Sequence, residues 1–314
     1  MSSTRNPSGE ALRNIPPTTL GVIAVCVSLF VIQNILGWDL SLFTMCPRMV
    51  LFTNEYYRVF TSVLFHANLM HIGMNMLSTA AISSALEKRL GTLRLLFQIW
   101  YAIFVTGAIY MLIAYIAYAV FGYDKWMYQH AVGFSGIIFY LSVLESLLHP
   151  GPRSVFGVFS VPASVYPWVL LLVLQLIMPN LSFLGHLSGI LNGTLEYHGV
   201  LDVLFVSDSF LADLESRPMM RKLVGLHSYV GATQISGRQR LRAETSISFS
   251  FVFQSMRKYF CALSKFVKQS CSRFWTRRSG NDNIESGVIR PPEFYDDNNM
   301  YDDEELEPLE SRMV

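Results

Sequence analysis

Two residues that could together carry out acyl transfer stand at the starts of separate apolar segments. Ser135 lies within Gly133-Phe134-Ser135-Gly136, and His186 follows fifty-one residues later. A serine hydroxyl is a weak nucleophile until a neighbouring base removes its proton, and an imidazole can be that base. Because each residue opens a hydrophobic run, the pair predicts hydrolysis inside a lipid bilayer.

The glycines around Ser135 favour an irregular, close-packed entry to a helix. If a helix begins at Ser135, the backbone N–H groups of its first turn have no partners within the helix. These donors and the positive end of the helix dipole would stabilise a developing oxyanion. Gly133 and Gly136 allow the backbone to approach this point closely.

The segment that begins at His186 has its own glycine pattern. Gly189 and Gly193 are four residues apart, the small-xxx-small spacing that lets membrane helices pack closely. We therefore expect this segment to pack against the segment of Ser135, which would bring the two side chains together.

A third polar group lies in an earlier apolar segment, where His71 and Asn75 share one helix face. Polar groups inside a membrane are costly and usually face the bundle interior, so these two could complete an oxyanion site. One alternative is a metal site built from His66, His71 and His186, since imidazole binds zinc. A metal site would leave Ser135 and its glycines unexplained, and we expect no metal and no cofactor.

The composition separates an apolar part from a charged tail. Hydrophobic residues make up 52% of the 314 residues and charged residues only 15%, against about 25% charged in ordinary soluble domains. Residues 1–204 hold nine of the 24 Lys and Arg residues, although they are two thirds of the chain. The net charge is +1, and we expect no nucleic-acid partner. The four cysteines show no paired spacing, so we expect free thiols.

The apolar part contains six candidate spanning segments, and a spanning helix needs about twenty residues. They are residues 19–37, 69–85, 95–121, 134–148, 165–178 and 184–205. The fourth and fifth are short and fit better as helices inside a bundle. The fold class is therefore an all-α, polytopic membrane protein with a six-helix domain at 19–205 and a cytosolic segment at 1–18. No small-residue cleavage site precedes the first segment, so we expect it to be retained.

The orientation follows from the Lys and Arg residues in the short loops. With the N-terminus in the cytosol, the cytosolic loops carry six basic residues and the opposite loops three. Both termini are then cytosolic, and Ser135 and His186 share the luminal side. The long loop 38–68 is partly apolar and is expected to pack on or in the membrane surface.

The charged tail divides into three parts. Residues 206–248 are predicted to be a basic linker, and 249–275 a basic amphipathic helix suited to an anionic membrane surface. The alternative for this helix is packing on the protein itself. Residues 276–314 are acidic and predicted to be disordered, and they are suited to recruiting a cytosolic partner for trafficking or degradation.

Together these motifs resemble the rhomboid family of intramembrane serine proteases over residues 16–204. The resemblance rests on H-x-x-x-N at 71–75, G-x-S-G at 133–136 and H-x-x-G-x-x-x-G at 186–193, with support from Glu55-x-Tyr57-Arg58 and 87–91. The chain looks most like the six-span eukaryotic members of the secretory pathway, which implies the endoplasmic reticulum or Golgi.

The resemblance implies a role for each matching residue. Ser135 would be the nucleophile and His186 the general base, while His71, Asn75 and the Ser135 N–H would form the oxyanion hole. Glu55 and Arg58 would hold the first luminal loop, and the substrates would be transmembrane segments of other proteins.

The chain departs from the family pattern at two positions. Tyr57 replaces a common tryptophan, and Phe139 replaces a tyrosine that stacks on the histidine. Neither change removes a reacting group.

Two other functions remain open from the residues alone. A non-catalytic rhomboid-like adaptor would guide membrane proteins to degradation or trafficking, although such relatives typically lack the serine or the histidine. A small transporter would also tolerate polar residues in the membrane, but no paired half-segments favour it.

Overall fold

The computed structural model describes residues 14–149, 151–201 and 204–231. The predicted amphipathic helix at 249–275 and the predicted acidic tail at 276–314 lie outside the described residues, as does most of the N-terminal segment.

Each of the six predicted apolar segments contains a helix. The six helices are α1 (Pro17–Leu36), α4 (Leu69–Leu90), α5 (Thr92–Phe121), α6 (Ser135–Leu148), α7 (Tyr166–Ile177) and α8 (Phe183–Tyr197). The last ends eight residues before the predicted boundary at 205, because Gly199 turns the chain with a φ of 71°. Helices α6 and α8 make the most extensive contact between any two helices, with α5 packed against α8 beside them.

Two of these helices, α1 and α5, are long and apolar enough to cross a membrane by themselves. Shorter apolar helices lie at Ser135–Leu148 and Ala163–Ile177. The count of six crossings therefore stays a prediction.

The loop between α1 and α4 is folded rather than extended. It contains a 3-10 turn at Leu40–Leu42 and two short helices, α2 (Pro47–Phe52) and α3 (Arg58–Leu64). Met45 and Ala131 exchange backbone hydrogen bonds of 2.8 and 2.9 Å. These bonds join the first loop to the segment that leads into α6.

A short β-hairpin interrupts the helical fold and was not predicted. Strands β1 (Arg153–Val155) and β2 (Phe159–Val161) pair antiparallel between α6 and α7. Phe156 and Gly157 form the turn with positive φ angles of 50° and 75°. Three residues a strand are too few to show the alternation from which strands are recognised.

The predicted basic linker at 206–248 is described as far as residue 231, and this part contains short helices. It forms α9 (Asp208–Ser216), a 3-10 turn at Pro218–Met220 and α10 (Arg221–Val224). Tertiary contacts explain the folding: Asp208 pairs with Arg94 at the start of α5, and the backbone N–H of Thr92 donates to Val230 at 2.8 Å. Leu211 is fully buried between them. We call residues 204–231 the post-bundle cap.

A buried carboxylate fixes the start of α1. Glu87, near the end of α4, is fully buried. It accepts hydrogen bonds from the backbone N–H groups of Thr18 and Thr19, both at 2.8 Å, and from the Thr19 hydroxyl at 2.7 Å. A negative charge at a helix N-terminus also interacts favourably with the helix dipole. Glu87 therefore ties α1 to α4.

The substitution Glu87→Ala should destabilise the bundle by about 2–4 kcal/mol, because two buried N–H groups lose their acceptor. The measurement is thermal unfolding of the purified protein in detergent. Lys88→Ala is the control, since its side chain is exposed in the same helix turn. Equal unfolding temperatures for the two variants would contradict this role for Glu87.

Candidate active site

Ser135 is the first residue of α6, as predicted, and His186 lies in the first turn of α8. The Ser135 Oγ and His186 Nε2 atoms are 2.9 Å apart, within hydrogen-bond distance. The His186 side chain is buried. The structure therefore brings together the two residues that the sequence placed at the starts of separate segments, in the geometry that a serine and its general base require.

Glycines permit this approach because α6 and α8 touch through their backbones. A Cβ atom on Gly136 would lie 3.2 Å from the carbonyl oxygen of Gly185, and one on Gly189 would collide with the carbonyl oxygen of Gly136. A Cβ on Gly193 would lie 2.8 Å from Val143. We call Gly136, Gly185, Gly189 and Gly193 the glycine contact. A larger side chain at Gly189 or Gly193 would force the two helices apart.

Phe139 supports the imidazole from the side. Its ring stacks on that of His186, with 4.6 Å between centroids and 29° between planes. Phe139 follows Ser135 by four residues, so it occupies the same face of α6. The aromatic ring therefore restricts the rotation of His186 without offering it a hydrogen bond.

The second polar pair reaches the same site through Gly133. This glycine has a φ of 108°, and its N–H donates to the Ser62 carbonyl at 2.7 Å. A Cβ there would lie 2.7 Å from His71 Nε2 and 3.4 Å from Asn75 Nδ2. His71 and Asn75 thus lie against the backbone that precedes Ser135, so glycine is required at 133 for both conformation and space.

His66 is a site residue whose position the sequence did not predict. It is fully buried, and its Nε2 accepts a long hydrogen bond of 3.4 Å from the Phe134 N–H. Its ring contacts that of His71 with centroids 5.2 Å apart. The sequence suggested only one role for His66, as a metal ligand. In the described part of the chain, no group of three His, Cys, Asp or Glu side chains could hold a metal ion.

Arg58 and Glu55 organise the first loop beside the site. Arg58 Nε donates to Glu55 Oε2 at 2.7 Å, and its Nη1 donates to the carbonyls of Ser41 at 2.6 Å and Thr44 at 3.0 Å. The hydrogen bond from Tyr57 contributes most to lowering the pKa of Glu55, followed by bonds from neighbouring side chains that include Arg58. The buried Arg58 side chain thus connects three points of the first loop, at Ser41, Thr44 and Glu55.

A small cavity of about 60 Å³ opens beside the two reacting groups. Polar side chains share its wall with apolar ones from α3 and α5. The polar residues lining it are Ser62, Thr106, Tyr110, Ser135, Ser182 and His186.

Comparison with known proteins matches residues 53–200 to the model of the rhomboid domain. The chain belongs to the rhomboid family. The matched region contains Arg58, His71, Asn75, Ser135 and His186, and the helical architecture is that of a rhomboid membrane bundle.

Several curated rhomboid proteins are similar to this chain. Rhomboid-like protein 15 of Arabidopsis thaliana is 36% identical over 72% of this chain and 57% of its own length. Human rhomboid-related protein 4 is 32% identical over 60% of this chain and 59% of its own length. Rhomboid-type serine protease 2 of Candida albicans is 26% identical over 64% of this chain and 71% of its own length. The chain thus spans little more than half the length of the first two relatives.

The substitution Gly189→Ala should separate α6 from α8, since its Cβ would collide with the Gly136 carbonyl. We expect a loss of about 2–4 kcal/mol of stability, within the range for overpacking and strain at one site. The measurement is thermal unfolding in detergent.

Gly73→Ala is the matched control for this variant. Gly73 lies in α4 between His71 and Asn75, and a Cβ there has no neighbour within 4 Å. Because alanine favours helices over glycine by about 1 kcal/mol, its stability should stay equal or rise. A Gly189→Ala protein as stable as the Gly73→Ala protein would show that the contact tolerates a methyl group.

Proposed function

We propose that this rhomboid protein is an intramembrane serine protease that cleaves transmembrane segments through a Ser135–His186 dyad. The observation that carries the proposal is the 2.9 Å distance between Ser135 Oγ and His186 Nε2 at the start of two close-packed helices. The serine-protease name of one relative supports the same chemistry.

The reaction begins when His186 Nε2 accepts the Ser135 proton and Oγ attacks the scissile carbonyl carbon. The tetrahedral intermediate collapses to an acyl-enzyme as His186 donates that proton to the leaving amine. His186 then deprotonates a water molecule, which attacks the ester carbonyl. The second tetrahedral intermediate collapses as His186 returns this proton to the leaving Ser135 Oγ, which releases the second fragment with a new carboxyl group and regenerates the dyad. Each proton moves between Ser135, the substrate, water and one imidazole, so the dyad needs no carboxylate to balance the steps.

The oxyanion of each intermediate needs donors beside Ser135. The Ser135 N–H is unpaired within the helix because it belongs to the first turn. His71 Nε2 and Asn75 Nδ2 lie on the side of Gly133 that a Cβ would occupy, at 2.7 and 3.4 Å from that position. One Asn75 amide hydrogen is given to the His71 carbonyl at 3.0 Å, and the other can reach the oxyanion. Three donors of this kind stabilise charge effectively where water is excluded.

The substrates we propose are single transmembrane segments that enter the bundle from the lipid. The basic residues of the short loops favour cytosolic termini, with the dyad near the luminal side. The endoplasmic reticulum or Golgi membrane is the location we propose, because the motifs and the charged tail resemble those of six-span secretory-pathway members. A cytosolic partner for the tail remains part of this proposal.

Ser135→Ala and His186→Ala should each abolish cleavage of a transmembrane substrate in proteoliposomes. The double variant should be no worse than either single one, because nucleophile and base act as a unit. Fragment formation is followed by gel, with Ser188→Ala as control, since its hydroxyl bonds only the Leu184 carbonyl of its own helix. Cleavage by Ser135→Ala at the wild-type rate would rule out the proposed protease activity and leave the adaptor function.

Phe139→Ala should lower kcat about tenfold, because an unsupported imidazole spends less time in the productive geometry. Phe139→Tyr keeps the stacked ring and should stay within about threefold of wild type. Both are measured as turnover per active site in the same proteoliposomes. A Phe139→Ala enzyme with wild-type kcat would show that the glycine contact alone orients His186.

A further inference from the structure

A second polar cluster lies between α5, α6 and α8, away from the dyad. The Tyr140 hydroxyl of α6 donates to Glu196 Oε2 of α8, and Gln98 Nε2 of α5 donates to Glu196 Oε1 at 3.0 Å. We call Gln98, Tyr140 and Glu196 the Glu196 latch. One carboxylate therefore holds three helices together, with a donor on each of its oxygens.

The latch and the dyad join the same two helices at different levels. Tyr140 follows Ser135 by five residues and Glu196 follows His186 by ten, so they lie about 7 and 15 Å further along their helices at 1.5 Å a residue. The glycine contact begins at the dyad, where Gly136 meets Gly185, and extends towards the latch, where a Cβ on Gly193 would lie 3.1 Å from the Tyr140 carbonyl oxygen. The helix pair is thus fixed at one end by the latch and at the other by the dyad itself.

Directionality distinguishes the latch from the glycine contact. Glycine-mediated packing brings two backbones close, but van der Waals contact alone resists sliding and rotation only weakly. A hydrogen bond depends steeply on angle and distance. The Tyr140–Glu196 bond therefore fixes the register of α8 against α6, which in turn fixes where His186 stands relative to Ser135.

Glu196 is half-buried next to the last residue of α8, and an ionisable side chain that a membrane bundle encloses usually marks a functional requirement. Glu196 is not among the residues that line the cavity beside Ser135. Tyr140 is fully buried, so its hydroxyl is committed to the bundle interior. The proposed dyad chemistry uses none of the three latch residues. Any effect that they have on the dyad is therefore an effect on its position.

A neighbouring polar contact provides a natural comparison. The Tyr101 hydroxyl donates to Asn192 Oδ1 at 2.8 Å, and Asn192 Nδ2 donates to Thr106 Oγ1 at 3.1 Å. This contact joins α8 to α5 and does not include α6. Tyr101 and Tyr140 therefore make the same kind of bond to the same helix, but only Tyr140 belongs to the helix of the nucleophile.

We propose that Glu196 and Tyr140 are positioning residues, which set the register between α6 and α8 and so hold His186 in reach of Ser135. The proposal rests on the protease function proposed above. Loss of the bond should misplace the dyad by tenths of an ångström. Such a displacement lowers the chemical rate rather than the binding of a substrate segment.

The test compares Tyr140→Phe with Tyr101→Phe in proteoliposomes. Each variant loses one hydroxyl that bonds α8. We expect Tyr140→Phe to lower kcat about tenfold with KM unchanged, on the scale of small misplacements in an active site. Tyr101→Phe should stay within about twofold of wild type, because α6 keeps its register. Rates are divided by the number of active sites titrated with a serine-reactive probe, which removes loss of folded protein from the comparison.

A graded series on the carboxylate adds a second readout. Glu196→Gln keeps the side-chain length and one acceptor oxygen, so its kcat should recover about threefold over that of Glu196→Ala. Gln98→Leu leaves the Tyr140 bond intact and removes only the second donor to Glu196, so it should affect the rate less than Glu196→Ala does. It should lower kcat by about threefold.

The outcomes separate the two proposals. If the wild-type protein cleaves no faster than Ser135→Ala, the protease function fails, and the latch fails with it. If the wild-type protein cleaves in a Ser135-dependent way but Tyr140→Phe and Tyr101→Phe have equal kcat values, the latch alone is overturned. For a Tyr140→Phe protein that does not fold, a wild-type kcat in Glu196→Ala overturns it.

Discussion

The contact of α6 with α8 through glycine backbones is the constraint on which the rest of the structure depends. Where Gly136 meets Gly185 and Gly189, no side chain separates the two helices. Apolar side chains gain little free energy when they move from lipid into a contact between helices. Close van der Waals packing of this kind therefore largely drives helix association in the membrane. Ser135 and His186 start the same two helices, and their hydrogen bond follows from the distance that the glycines allow.

Polar side chains fix the segments around the site by forming hydrogen bonds to their backbone groups. Arg58 brackets the first loop through two carbonyls, and Glu87 fixes the start of α1 through two N–H groups. In a low-dielectric interior such bonds strengthen, and an unpaired group becomes expensive. Both residues thus confine their loop or helix to one arrangement around the site.

The structural features that could be predicted from the sequence are those with a strong local pattern. Apolar runs located the six helices, and the glycine spacing around His186 predicted its approach to Ser135. The hairpin at 153–161 and the post-bundle cap were not predicted, because tertiary contacts such as the Arg94–Asp208 pair stabilise these short elements more than their own propensities do. The Glu196 latch was missed for a related reason, since three residues far apart in sequence carry no spacing signal.

The length of α6 has a consequence for hydration. Its 14 residues rise about 21 Å, whereas the hydrocarbon core of a bilayer is about 30 Å thick. If α6 ends at one boundary, Ser135 lies about 9 Å below the other, at a depth where lipid offers no water. Hydrolysis consumes one water molecule for each bond cut. The cavity of about 60 Å³ beside Ser135 has polar side chains in its wall and is large enough for a few water molecules, so the protein itself can hold the water that the proposed hydrolysis needs.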